Sequence, residues 1–291
     1  MPIERTVEQQ HIASFALPPA LHGKFGSATV VTAGAGAGKT TTLVMIKSDL
    51  VDKHGHREEN IWYASFNKEN AREMQEKMPV CKCTTIHSMA LSSNAFLTKA
   101  RSQIVEEKYA LDFFHKAAAN KIVECGVDFS YAGADARAQQ RVQKSLAAKM
   151  ARFALASLQV FLQSDANEAV GLDNTLESNT VEAAHKWHAD HNNDGPPAEL
   201  GNLAAKGWYV EAAQAFWRVL TGVGGRVGAK TVALLDAVVK RALLYEMPVH
   251  KYATALLVDE SQDLTRAMAA WICMQVKFGV HVFLVGDPAQ S

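Results

Sequence analysis

The sequence predicts an α/β protein in which a parallel sheet is covered by helices and interrupted by a long, all-helical insertion. Two observations carry this. Short apolar runs alternate with helical patterns at both ends of the chain, and the middle, from about Ala95 to Glu246, is rich in alanine with apolar residues at helical spacing. The expected division is therefore 1–95 and 247–291 as two parts of one α/β domain, with 96–246 inserted between them.

Taken in order, Ala28–Thr32 is β-branched and reads as a strand, Thr40–Leu50 as a helix, Ile61–Phe66 as a strand, and Asn67–Met78 as a helix. Val80–Thr85 is a third short strand. In the middle, ALDFFHKAAANKIVECG and AAKMARFALASLQVFLQ carry helical periodicity, while HNNDGPPAELGN and GVGGRVG read as breaks. Trp208, Tyr209, Phe216 and Trp217 fall at helical spacing, which favours core packing over stacking on bases. The pattern then returns to ALLV as a buried strand, a helix over Thr265–Phe278, and a strand VHVFLV ending at Val285.

Composition narrows the classes. Of 291 residues, 48% are hydrophobic, which excludes a disordered chain. Thirty basic residues balance thirty acidic ones, so any nucleic-acid contact must come from local placement of donors and rings. Cys81, Cys83, Cys125 and Cys273 show no paired framework and suit a reducing compartment. The first residues lack a signal-peptide pattern, and no apolar run reaches the roughly 18 residues of a membrane span. A soluble intracellular protein without a membrane partner is expected; nucleus, organelle and cytosol all fit, the nucleus if the source is eukaryotic.

The segment TVVTAGAGAGKTTTL joins a strand to a helix through a glycine-rich loop. Gly34, Gly36 and Gly38 let backbone N–H groups converge on phosphate oxygens, aided by the positive end of the helix. Lys39 is placed to reach β and γ phosphates and Thr40 to hold Mg²⁺. The strict loop pattern begins with glycine where this chain has Ala33. A plain flexible loop would not require the lysine, the hydroxyl and both flanking elements together.

Further on, ALLV runs into Asp259 and Glu260, delivering two carboxylates to the carboxyl end of the sheet, where ligands bind in such folds. Asp259 suits Mg²⁺ coordination and Glu260 suits orienting and deprotonating a water. An acidic start to the following helix is the plainer account, but it does not require the rest of DESQD. After VHVFLV come Gly286 to Ser291, in which Gln290 offers both a donor and an acceptor to a γ-phosphate.

The ordered set AGAGAGKTTT, SFNKENAREM, TTIHS, VDESQD and VGDPAQS resembles the first half of UvrD/Rep-type superfamily 1 DNA helicases. That family tolerates alanine at the Ala33 position. TVEQQHI is similar to its Q motif, which implies that Gln9 bonds the adenine of ATP. The resemblance implies a RecA-like domain with a helical accessory insertion. Its implied phosphate contacts come from Ala33, Gly34, Ala35, Gly36, Ala37, Gly38, Lys39, Thr40 and Thr41. Mg²⁺ falls to Thr40 and Asp259, and catalysis to Lys39, Asp259, Glu260 and Gln290.

The same resemblance implies that Phe66, Asn67, Thr85 and His87 meet single-stranded DNA. The family's aromatic stands two residues before the asparagine, where this chain has Ser65, with Phe66 one later. Phe66 either stacks on a base or packs in the core at a strand end. RALLYEMPVHKYATALLVDESQD is also similar to the eukaryotic F-box helicase branch. By family, the activity is ATP-driven translocation on single-stranded DNA, 3′ to 5′, in repair or recombination. A second motor domain, or a partner chain in trans, is implied as the source of arginines at the γ-phosphate. Such arginines contribute about 10³ to 10⁵ in rate, so poor turnover is expected of this chain alone, as of a binding module.

Two further clusters are weaker. His185, His188 and His191 recur every third residue and could offer imidazoles to a metal, although a polar surface helix explains them as well. Cys81 and Cys83 form a lone CxC with no second pair nearby.

Overall fold

The computed structural model describes residues 26–34, 36–94, 103–104, 106–133, 135–165, 201–221, 232–287 and 289. These form two compact units, one built from Met1–Ala95 and Val238–Ser291, the other from Phe96–Ala237.

The first unit is a five-stranded, wholly parallel sheet flanked by helices. In chain order it contains β1 (Ala28–Thr32), α1 (Lys39–Asp52), β2 (Ile61–Ser65), α2 (Lys68–Lys77), β3 (Lys82–Thr85) and α3 (Ile86–Ser93). The second unit holds β4 (Gln103–Ile104), α4 (Glu107–Glu124), α5 (Ala136–Gln163), α6 (Gly201–Thr221) and β5 (Val232–Ala233). Then follow α7 (Leu235–Leu244), β6 (Ala255–Val258), α8 (Arg266–Met274) and β7 (His281–Gly286).

Strand order in the sheet is β1-β7-β6-β2-β3. The chain leaves β1, passes over two strand positions to lay down β2 and β3, and later returns to fill the gap with β6 and β7. IWYAS and ALLV are buried along their whole length, as strands covered on both faces must be. Leu43, Ile46 and Leu50 of α1 pack with Tyr63, Leu257, Phe283 and Val285 in one apolar cluster.

Local signals set the helix ends. Asn67 and Thr265 cap α2 and α8 by accepting from the amides of Asn70 at 2.8 Å and Met268 at 3.3 Å. Asn67 is thus outside the helix that the sequence pattern placed it in. The helix expected over Thr265–Phe278 ends at Met274. Its last residues tighten to a 3₁₀ turn, Gln275–Phe278, closed by Gly279 at φ 81°.

The second unit is not all-helical as expected, because β4 and β5 pair in parallel where the chain enters and leaves it. Around them α4, α5 and α6 bury Phe114, Met150, Leu158, Trp208 and Phe216. The Phe113 and Phe114 rings lie 4.8 and 5.3 Å from that of Phe216, the tilted contacts aromatic cores favour. By length and composition α5 could cross a membrane, yet 61% of its most apolar window is buried inside the protein, which is the signature of a core helix.

At the amino ends of the central strands, the Ser27 hydroxyl meets His281 Nδ1 at 2.9 Å and the Thr254 hydroxyl meets His56 Nδ1 at 2.9 Å. The two rings stand edge to face at 5.6 Å. Burial, and then the neighbouring imidazoles, hold both histidines below their usual pKa. The unfolded chain therefore takes up protons first. The stability these rings contribute is complete above a pH of about 6.5 and is lost as pH falls through the folded pKa values. Melting temperature should drop on mild acidification, and changing His56 and His281 to Gln together should flatten that drop; an unaltered pH profile would contradict the assignment.

Candidate active site

Parallel register brings the carboxyl ends of all five strands to one edge. Thr32 pairs with Gly286, Val258 with Leu284 and with Ala64, and Ser65 with Thr85. The ladders extend one step further through Ala33 N–H to the Gly286 carbonyl at 2.9 Å and Asp259 N–H to the Ala64 carbonyl at 3.0 Å. The glycine loop, the acidic pair and the Asp287 corner are thereby adjacent.

Within the loop, Ala37 N–H bonds back to the Gly34 carbonyl at 3.1 Å. Gly36 and Gly38 adopt φ of 73° and 75°, a left-handed conformation that a side chain would strain. Among the described residues, chain neighbours aside, no heavy atom lies within 4 Å of where a Cβ would stand on Gly34 or Gly36, so the loop is open there. Gly38 caps the start of α1, which has no side-chain cap hydrogen bond and no acidic residue in its first turn, the kind of helix N-terminus that suits an anion. These features fit the phosphate chain of a nucleotide.

Facing the loop, Lys39 Nζ donates to Glu260 Oε2 at 2.7 Å. The hydrogen bond from Lys39 is the main cause of that lysine's raised pKa, with Asp259 and Asp287 adding to it. Burial pushes the Glu260 carboxyl up, but hydrogen bonds from Lys39 and Gln262 outweigh it and hold the group below its ordinary value. Glu260 itself sits at φ 50°, a costly backbone for a non-glycine residue and one found at functional corners.

Asp259 is only 5% exposed. Its Oδ2 accepts from the Tyr63 hydroxyl at 3.0 Å and its Oδ1 from Glu260 N–H at 2.9 Å. Burial raises its pKa, and those two donors counter the rise. An oxygen-rich group of this kind, on the sheet edge that carries the loop, suits a hard cation such as Mg²⁺.

Of the residues expected in the site, Lys39, Asp259 and Glu260 come together with the described part of the loop. Gln9, Ala35 and Gln290 lie outside the described residues, as do His185, His188 and His191. Two contributors were missed from sequence. Tyr63 is a hydroxyl-bearing ring inside a fully buried strand, and that mismatch is itself a signal for a polar partner. Gln262 lies between acidic residues in ESQD and carries no signal by itself. Cys81 is buried in the sheet core, and burial pushes its thiol up to about 11, that of an inert core residue.

A strand, glycine loop and helix set against an acidic pair at the end of a neighbouring parallel strand define a P-loop nucleotide-binding domain. Residues 25–291 match a family model described as an AAA domain, and the chain belongs to that family, the N-terminal motor domain found in UvrD/Rep-like helicases. No curated protein matches the chain.

Three substitutions test the site. Lys39→Ala should weaken Mg²⁺·ATP binding about 10- to 100-fold through loss of a charged hydrogen bond, whereas Glu260→Gln should keep binding and lower any hydrolysis by about 10²-fold or more. Normal ATP affinity in Lys39→Ala would remove the assignment. Tyr63→Phe leaves the buried Asp259 short of a donor, so it should cost about 1–3 kcal/mol of stability and raise the Mg²⁺ concentration needed for ATP binding. Wild-type melting and Mg²⁺ titration would show that the Tyr63 contact is idle.

Proposed function

We propose that this chain is the ATP-binding part of a DNA helicase or translocase that grips single-stranded DNA along the carboxyl ends of β2 and β3. The observation that supports this most is Phe66. It follows the last residue of β2 and is 45% exposed, not packed in the core, with its ring edge-on to that of His87 at 6.1 Å. Because Ser65 pairs with Thr85, the two rings stand side by side just past adjacent strand ends, on the same sheet edge as Lys39 and Glu260. Exposed rings of this kind can stack on bases irrespective of sequence.

Asn67 is exposed at the start of α2; its Oδ1 caps the Asn70 N–H, and its side-chain NH₂ would donate to phosphate oxygens. Thr85 is 7% exposed and accepts from Ser88 N–H at 3.2 Å, so it serves the interface by fixing the start of α3 and hence His87. Ser65, at the position of the family's aromatic, is buried with its hydroxyl on the Asn67 carbonyl at 2.8 Å, which orients the turn that exposes Phe66.

In the reaction, the loop and Lys39 bind the phosphates, Thr40 and Asp259 hold Mg²⁺, and Glu260 activates water. Gln9 would select adenine and Gln290 would sense the γ-phosphate. A second motor domain, or a partner chain, would supply arginines, with the helical unit as an accessory insertion. The 3′ to 5′ direction, the role in repair and the F-box branch rest on the motif resemblance. Phe66→Ala should weaken binding of a fluorescent oligodeoxythymidine by about 5- to 100-fold, the cost of one lost stacking platform. His87→Ala should weaken it less, and ATP affinity should hold in both. Unchanged DNA binding in the two variants would overturn this reading of the edge.

A further inference from the structure

Glu260 Oε2 has two donors, Lys39 Nζ at 2.7 Å and Gln262 Nε2 at 2.8 Å. The other end of the same amide is also engaged, since Gln262 Oε1 accepts from Asp287 N–H at 3.0 Å. Gln262 therefore spans from the acidic corner after β6 to the corner after β7. The packing there is tight. A Cβ on Gly286 would run into the Ser261 hydroxyl and lie 2.7 Å from Gln262 Oε1 and 3.1 Å from the Gln262 backbone nitrogen. Asp287 in turn accepts from Ala289 N–H at 3.0 Å, so the bridge reaches the segment that follows the strand.

We propose that Gln262 is a positioning residue that joins Glu260 to the Gly286–Asp287 corner and passes the arrival of nucleotide from one to the other. The inference rests on the reading of the glycine loop as an ATP site. When phosphates draw Lys39 away, Glu260 loses one of its two donors, and Gln262 becomes the group that fixes its carboxylate. A primary amide suits this task because it donates and accepts at once, on opposite ends of one rigid plane. Any shift of Glu260 pulls on the donor end, and the acceptor end moves with it against Asp287 N–H.

Two substitutions separate the arms of the bridge. Gln262→Ala removes both. Gln262→Glu keeps an oxygen for Asp287 N–H but cannot donate to Glu260 when ionised. Amide hydrogen exchange at Asp287 is read in the full 291-residue chain, with and without Mg²⁺ and a non-hydrolysable ATP analogue, beside ATP affinity.

In the wild type, nucleotide should change Asp287 exchange. Gln262→Ala should raise basal exchange about 10-fold, the loss of one ordinary hydrogen bond, and abolish the nucleotide response while ATP still binds. Gln262→Glu should keep basal protection and lose the response. Wild-type protection and response in Gln262→Ala, or a full response in Gln262→Glu, would overturn the inference alone. A wild-type chain that binds no Mg²⁺·ATP would overturn the ATP site and this coupling with it. Should Gln262→Ala fail to fold, Gln262→Glu decides.

Discussion

Lys39 and Glu260 are 221 residues apart in the chain, and their 2.7 Å contact is the point on which the site depends. It exists because β1, β7 and β6 run parallel and in register, so that the loop after one strand faces the corner after another. The left-handed backbone of Glu260 brings its carboxylate to the lysine. A positive charge beside a helix N-terminus needs a negative partner. Glu260 supplies it, and phosphates bound at the loop would compete with that carboxylate for the lysine.

One sheet edge carries two clusters of side chains. Over β1, β7 and β6 lie the glycine loop, the acidic pair and Asp287; past β2 and β3 lie Phe66, Asn67 and His87. The β6–β2 pairing is the seam between them, and Tyr63 crosses it, reaching from β2 to Asp259 with a 3.0 Å hydrogen bond. Asp259 is thus tied to β2, the strand that Phe66 follows, through a direct bond and a shared ladder.

The strands and the loop were legible because each has a local cause. β-branched ATVVT, the apolar run ALLV and the glycines before Lys39 dictate their own conformations, and the elements fall within a few residues of the pattern. The order of strands was not legible, since nothing in IWYAS states that ALLV will pair beside it after a long insertion. Helix ends were misplaced where side chains intervene: Asn67 caps and does not continue α2, and α8 tightens near Gln275. The parallel pair β4–β5 escaped notice because two-residue strands leave no periodicity to read. In the site, charged residues in motifs announced themselves, whereas Tyr63 and Gln262 act through partners distant in sequence, Asp259 and Asp287, and so became visible only with the fold.

The most direct test of the account is a crystal structure of the chain with Mg²⁺ and a non-hydrolysable ATP analogue. It should show Lys39 Nζ moved from Glu260 onto the phosphates, the metal at Thr40 and Asp259, and the Tyr63 and Gln262 hydrogen bonds intact. A nucleotide bound elsewhere, with the Lys39–Glu260 pair unbroken, would contradict the central claim that Lys39 and the loop receive the phosphates.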